Sequence, residues 1–102
     1  MKHYPVQNWK FEGILESRDH INKYHAILRN KNLDVTELVG FGNVRETHFK
    51  DMTKLNNYSH LDTLNIKKRL EFILDNSKHV KQYYYSKTYF ELKYLYHFNS
   101  FL

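Results

Sequence analysis

Residues 17–30 read Ser17-Arg18-Asp19-His20-Ile21-Asn22-Lys23-Tyr24-His25-Ala26-Ile27-Leu28-Arg29-Asn30, and the period assigned to them decides the fold. Ile21, Tyr24 and Leu28 recur at helical spacing, Ser17 offers an N-cap oxygen, and Arg29 and Lys31 suit the negative end of a helix dipole. This reading predicts a helix near 18–29. A strand through Tyr24-His25-Ala26-Ile27-Leu28 is the competing reading.

Toward the N-terminus, Trp9 and Phe11 alternate with Lys10 and Glu12, and Leu15 continues that parity past Gly13. The pattern predicts a short half-buried strand with a bulge at the glycine. In the other direction, Asn30-Lys31-Asn32 reads as a loop. Asp34 and Glu37 then have capping-box spacing, which predicts a short helical turn to Val39. Asn43 and Glu46 repeat that spacing ahead of Val44, His48, Met52 and Leu55 and predict a helix near 44–56. Ser59 can cap a helix over 60–76, in which Ile66, Leu70, Ile73 and Leu74 share one face of the 3.6-residue period.

The stretch 77–102 holds nine of the seventeen aromatic residues. Phe90, Leu92, Tyr94, Tyr96 and Phe98 alternate as in a strand, whereas Thr88 and Glu91 have cap spacing and Leu92, Leu95 and Tyr96 share a helical face. Tyr83-Tyr84-Tyr85 favours extended chain. Helix and strand both stay open here. The expected class is α+β: one small, helix-dominated domain over 1–102, with a short N-terminal strand and a tyrosine-rich C-terminal segment.

At 102 residues the chain is too short for two independent cores. It has no cysteine, which excludes disulfides, thiolate metal sites and cysteine nucleophiles and favours a reducing, cytoplasmic setting. No apolar run follows the first charged residues or approaches the length of a membrane span. The net charge is +5, and it is uneven: residues 1–51 carry eight basic and seven acidic side chains, residues 52–102 eight and four. A basic second half suits phosphate backbones or an acidic protein face, and equally suits plain solubility. Twelve Lys to four Arg, ten Asn and a single Ala are what AT-rich codons yield. In this respect the chain looks like small proteins of bacteriophages and other mobile elements.

Val39-Gly40-Phe41-Gly42-Asn43-Val44, followed by His48-Phe49-Lys50, is similar to the second helix-turn-helix of AraC-type transcription regulators. Two extra residues within Arg45-Glu46-Thr47 set it apart. The resemblance implies that Arg45, Thr47 and Lys50 reach bases or phosphates. The plain reading has Gly40 ending one helix and Asn43 capping the next.

Lys67-Lys68-Arg69 forms a basic triplet, although consecutive helical residues point about 100° apart and make no compact patch. In the tail, Lys78, His79, Lys81, Lys87 and Lys93 are interleaved with Tyr83, Tyr84, Tyr85, Tyr89 and Tyr94. Cations beside rings suit single-stranded nucleic acid, a protein interface or a homodimer contact, and the rings equally suit a core. The seven histidines, His3, His20, His25, His48, His60, His79 and His97, lack metal-ligand spacing, so no metal or other cofactor is expected. A metal-independent ribonuclease toxin would draw on His48, His79, Arg45 and Tyr85. The leading expectation is a non-enzymatic inhibitor or adaptor that binds a host protein or nucleoprotein such as a defence nuclease. Nucleic acid is a further candidate ligand.

Overall fold

A computed structural model describes residues 4–80 and 84–98. Three antiparallel strands, β1 (Trp9–Glu16), β2 (Asn22–Asn30) and β3 (Thr36–Asn43), form a sheet in the order β1-β2-β3. A long connection with one 3₁₀ turn (Ser59–Leu61) leads to helix α1 (Ile66–Asn76), and a second 3₁₀ turn (Ser77–His79) follows it. Helix α2 (Lys87–Leu95) packs on the sheet.

The α+β class holds, but its weight lies with the sheet. Residues 18–29 are not helical: they supply the turn into β2 and most of β2 itself. Tyr24, Ala26 and Leu28 alternate inward, all three fully buried. The small Ala26 completes the period of two that the larger Ile21, Tyr24 and Leu28 disguised. Asp19 makes the preceding turn: its Oδ1 accepts the N–H groups of Ile21 and Asn22, each at 2.8 Å. This carboxylate is held well below its usual range by those hydrogen bonds. Ser17 donates to Asp19 instead of capping a helix.

The helical turn over 34–39 is also absent. Asn30 Oδ1 accepts from the backbone N–H groups of Asn32 and Leu33, both at 2.9 Å, and Asn30 N–H donates to Val35 O, closing the hairpin into β3. Arg29 binds Asp34 and Glu12 across the sheet. In β1 the expected bulge is present, with the register shifting between Phe11 and Gly13.

The core is a layer of rings between sheet and α2. Phe90 lies against Phe11 (5.5 Å between centroids) and Phe41 (5.6 Å), and Tyr85 stacks on Phe90 at 5.8 Å. Ser86 caps α2, accepting the Tyr89 N–H at 3.1 Å, so Thr88 and Glu91 form no cap. Phe90 and Leu92 point nearly opposite ways on a helix, yet both are fully buried. The buried positions of α2, Phe90, Leu92 and Leu95, thus lie on more than one side of the helix, which is why its sequence carried no clean period.

Of the predicted 60–76 helix, α1 forms the part from Ile66. Its cap is Asn65, which accepts the Lys68 N–H at 3.0 Å, not Ser59. The apolar stripe would ordinarily face a core, but Ile66, Leu70 and Leu74 are 57%, 49% and 71% exposed. The helix turns in Arg69, Phe72, Ile73 and Asn76 instead. Arg69 donates to the carbonyls of Tyr96 (2.7 Å) and His97 (2.8 Å), and Phe72 stacks on Tyr96 at 3.8 Å.

Candidate functional site

Residues 44–58 contain no α-helix. They are an irregular segment held by a chain of polar side chains that begins on β2. Lys23, opposite in parity to the core residue Tyr24, is only 1% exposed. Its Nζ donates to Glu46 O at 2.7 Å and faces His48 Nδ1 at 3.0 Å. With Lys23 protonated, Nδ1 accepts, which leaves the imidazole proton on Nε2. That nitrogen lies 2.5 Å from Asp62 Oδ1, and the same oxygen accepts the Asp51 N–H at 2.8 Å.

Asp51 continues the chain. Its Oδ1 accepts from the Thr53 N–H (3.0 Å) and hydroxyl (2.6 Å), and its Oδ2 from Tyr24 OH (2.5 Å) and the Tyr58 N–H (3.1 Å). Tyr24 Oη in turn accepts the Asn57 N–H at 3.0 Å. Every link is paired, as buried polar groups must be when each unpaired one costs about 1–3 kcal/mol.

The electrostatics follow from burial and pairing. Burial lowers the Lys23 pKa, against the pull of Glu46, Glu91, Asp51 and Asp62. Burial and then the neighbouring Lys23 charge lower that of His48, and Asp62 opposes them. For Asp51, burial raises the pKa, but the bonds from Thr53, Tyr24 and the backbone outweigh it and leave the carboxyl below its ordinary value. Glu91 is raised by burial, partly offset by the Gly42 N–H that it accepts at 3.0 Å. A pocket of about 70 Å³ lies against Lys23, His48, Glu91 and Tyr96. That is room enough for ordered water. His48 has both ring nitrogens engaged and is 2% exposed, so it has no free lone pair to offer as a general base.

Among the described residues, the ribonuclease and helix-turn-helix candidates are not assembled into such sites. Val39 to Asn43 is the end of β3, and neither flanking helix exists. Gly42, at φ +73°, admits Leu95 and the Lys23 stem where a side chain would collide. Arg45, Thr47 and Lys50 are exposed on the irregular segment, with no recognition helix to present them. Tyr85 is packed against the ring layer.

The basic and aromatic candidates separate. Tyr85, Tyr89 and Tyr94 pack against the core, and Tyr84 pairs with Pro5 in an isolated bridge. Lys93 sits over the rings of Tyr89 (5.8 Å) and Tyr94 (5.5 Å). Arg69 is committed to its two carbonyls and to the Phe49 ring. Lys67, Lys68, Lys78 and Lys87 are exposed. Lys81, Tyr83 and the His79 side chain lie outside the described residues. Among the described residues, no group of three or more His, Asp or Glu side chains could hold a metal ion, and no helix is long and apolar enough to cross a membrane.

Lys23, Tyr24, Asp51 and Asp62 were not singled out from sequence. The Asp51-x-Thr53 spacing, typical of a carboxylate that closes a turn on its own backbone, was the available signal. The chain matches no protein-family model, and no curated protein or solved structure is significantly similar to it.

Proposed function

We propose that this chain is a non-enzymatic binding protein of phage or mobile-element origin that acts in the cytoplasm as an inhibitor or adaptor of a host nucleoprotein, such as a defence nuclease. The observation that carries this reading is the direction in which charges point. Asp51, Asp62 and Glu91 are drawn into the interior network and its pocket, against one buried cation among the described residues, Lys23. The outside is therefore more positive than the formal +5.

Lys50, Lys68 and Lys78 stand exposed on or beside α1, where Leu64 N–H donates to the carbonyl of Phe49. Such a surface draws an anionic partner by long-range attraction. The tyrosines packed into the core are not free to stack on bases, which favours a protein or nucleoprotein partner over bare single strands. The engagement of His48 and Lys23 favours binding over catalysis.

The test is affinity capture from bacterial lysate with the tagged chain, before and after nuclease treatment. The expected result is a stoichiometric protein partner that survives the nuclease and is lost with the triple variant Lys50→Glu/Lys68→Glu/Lys78→Glu. Capture of nucleic acid alone, vanishing by about 200 mM salt, would leave only unspecific charge attraction and end the reading.

A further inference from the structure

We infer that the exposed ridge of α1 is a self-association surface, by which two copies of this chain pair with their α1 helices antiparallel. Arg69 and Phe72 pin the helix to the carbonyls and ring at the end of α2, and that attachment fixes which face turns outward. Ile66, Leu70 and Leu74 succeed one another at four-residue intervals on the outward face, a ridge about 12 Å long at 1.5 Å rise per residue. Leu64, 59% exposed, precedes it in the chain. An apolar row on a helix whose inward face is already filled is the form that helix-in-groove contacts take.

The charges beside the ridge identify the occupant. Lys67, Glu71 and Asp75 form a second exposed row, again at four-residue intervals, running from positive to negative along the helix. A two-fold axis at Leu70 sets Leu70 against its copy and Ile66 against Leu74 of the other chain. The charged rows then lie side by side in opposite directions, with each Lys67 level with the gap between Glu71 and Asp75 of the second copy. One like-charge approach, Glu71 to its copy, is the cost of this register, and two lysines flank it. Antiparallel pairing also opposes the helix dipoles. Phosphate binding along this row is disfavoured, because its two carboxylates, Glu71 and Asp75, outnumber Lys67.

Exposed ion pairs contribute little, so the charges set direction and register while the ridge supplies the attraction. Three or four side chains per copy fall well short of the roughly 1,000 Å² of a stable interface, so the dimer is weak and reversible. It is separate from the anionic-partner reading and would give that partner two copies of the cationic surface.

Sedimentation equilibrium of the purified chain over a wide concentration range tests it. The expected result is a reversible monomer–dimer equilibrium, abolished by Leu70→Glu with the circular dichroism spectrum unchanged. Lys67→Glu should weaken the dimer several-fold, and the triple inversion Lys67→Glu/Glu71→Lys/Asp75→Lys should restore it. A monomer at every concentration, a dimer indifferent to Leu70→Glu, or an inversion that fails to restore association would each overturn the inference. A monomer that still captures its host partner would sink the dimer alone and leave the proposed function standing.

Discussion

Lys23 Nζ lies 3.0 Å from His48 Nδ1, and both side chains are hidden from solvent. A lysine on the central strand thus fixes, through a neutral imidazole, the position of Asp62 some forty residues later in the chain. Replacing Lys23 by Met keeps the aliphatic stem that packs at Gly42 but leaves Glu46 O and His48 Nδ1 without a donor. The expected loss is about 2–4 kcal/mol, read from urea unfolding. Because the groups act in series, Lys23→Met and His48→Leu together should cost less than their sum. Strict additivity would show that the two do not communicate.

The same pair makes stability depend on pH. The folded His48 has a pKa below its ordinary value of 6.5, so the unfolded chain binds that proton more readily. Its contribution is complete above 6.5 and is lost as pH falls from there toward the folded value. Asp51, held below 3.8, adds a loss only under that pH, whereas Glu91, raised above 4.5, acts in the opposite sense between 4.5 and its folded value. Comparison with His48→Gln isolates the first effect, since glutamine can accept from Lys23 and donate to Asp62. The Tm advantage of the native chain over His48→Gln should shrink between about pH 7 and pH 5. A constant difference would mean that His48 does not titrate in this window.

Gly42 has φ +73°, and a Cβ there would stand 2.8 Å from Leu95 Cδ1 and 3.2 Å from the Lys23 stem. Gly42→Ala combines backbone strain with displacement of a buried leucine, and about 1–3 kcal/mol of stability should be lost. Thermal unfolding measures it. An unchanged Tm would show that α2 can move away from β3 at no cost.

Parts of this architecture were legible in the sequence and parts were not, for reasons that differ by element. The bulge at Gly13 and the helix around Leu70 followed from local chemistry, a glycine in an alternating run and an unbroken 3.6-residue period. β2 was misread because its inward set contains a small alanine and its other face buries a lysine, so hydrophobicity alone favoured the wrong period. β3 was misread because Asp34 and Glu37 have cap spacing, yet the hairpin closes through Asn30. In the site, His48 carried a signal only as a ribonuclease candidate and as part of the helix-turn-helix likeness, and Tyr24 only as one position of an expected helix face. What surrounds it comes from segments far apart in the chain, and no local spacing announces that meeting.

The cover of the sheet also has a bearing on how the protein comes into being. β1, β2 and β3 are complete by Asn43, but the helix that shields Tyr24, Leu28 and Phe41 begins only at Lys87. The sheet therefore cannot bury its apolar face until the last quarter of the chain is available to it. A product ending before Lys87 would leave Tyr24, Leu28 and Phe41 uncovered, and exposed apolar surface of that kind favours aggregation over a stable partial fold.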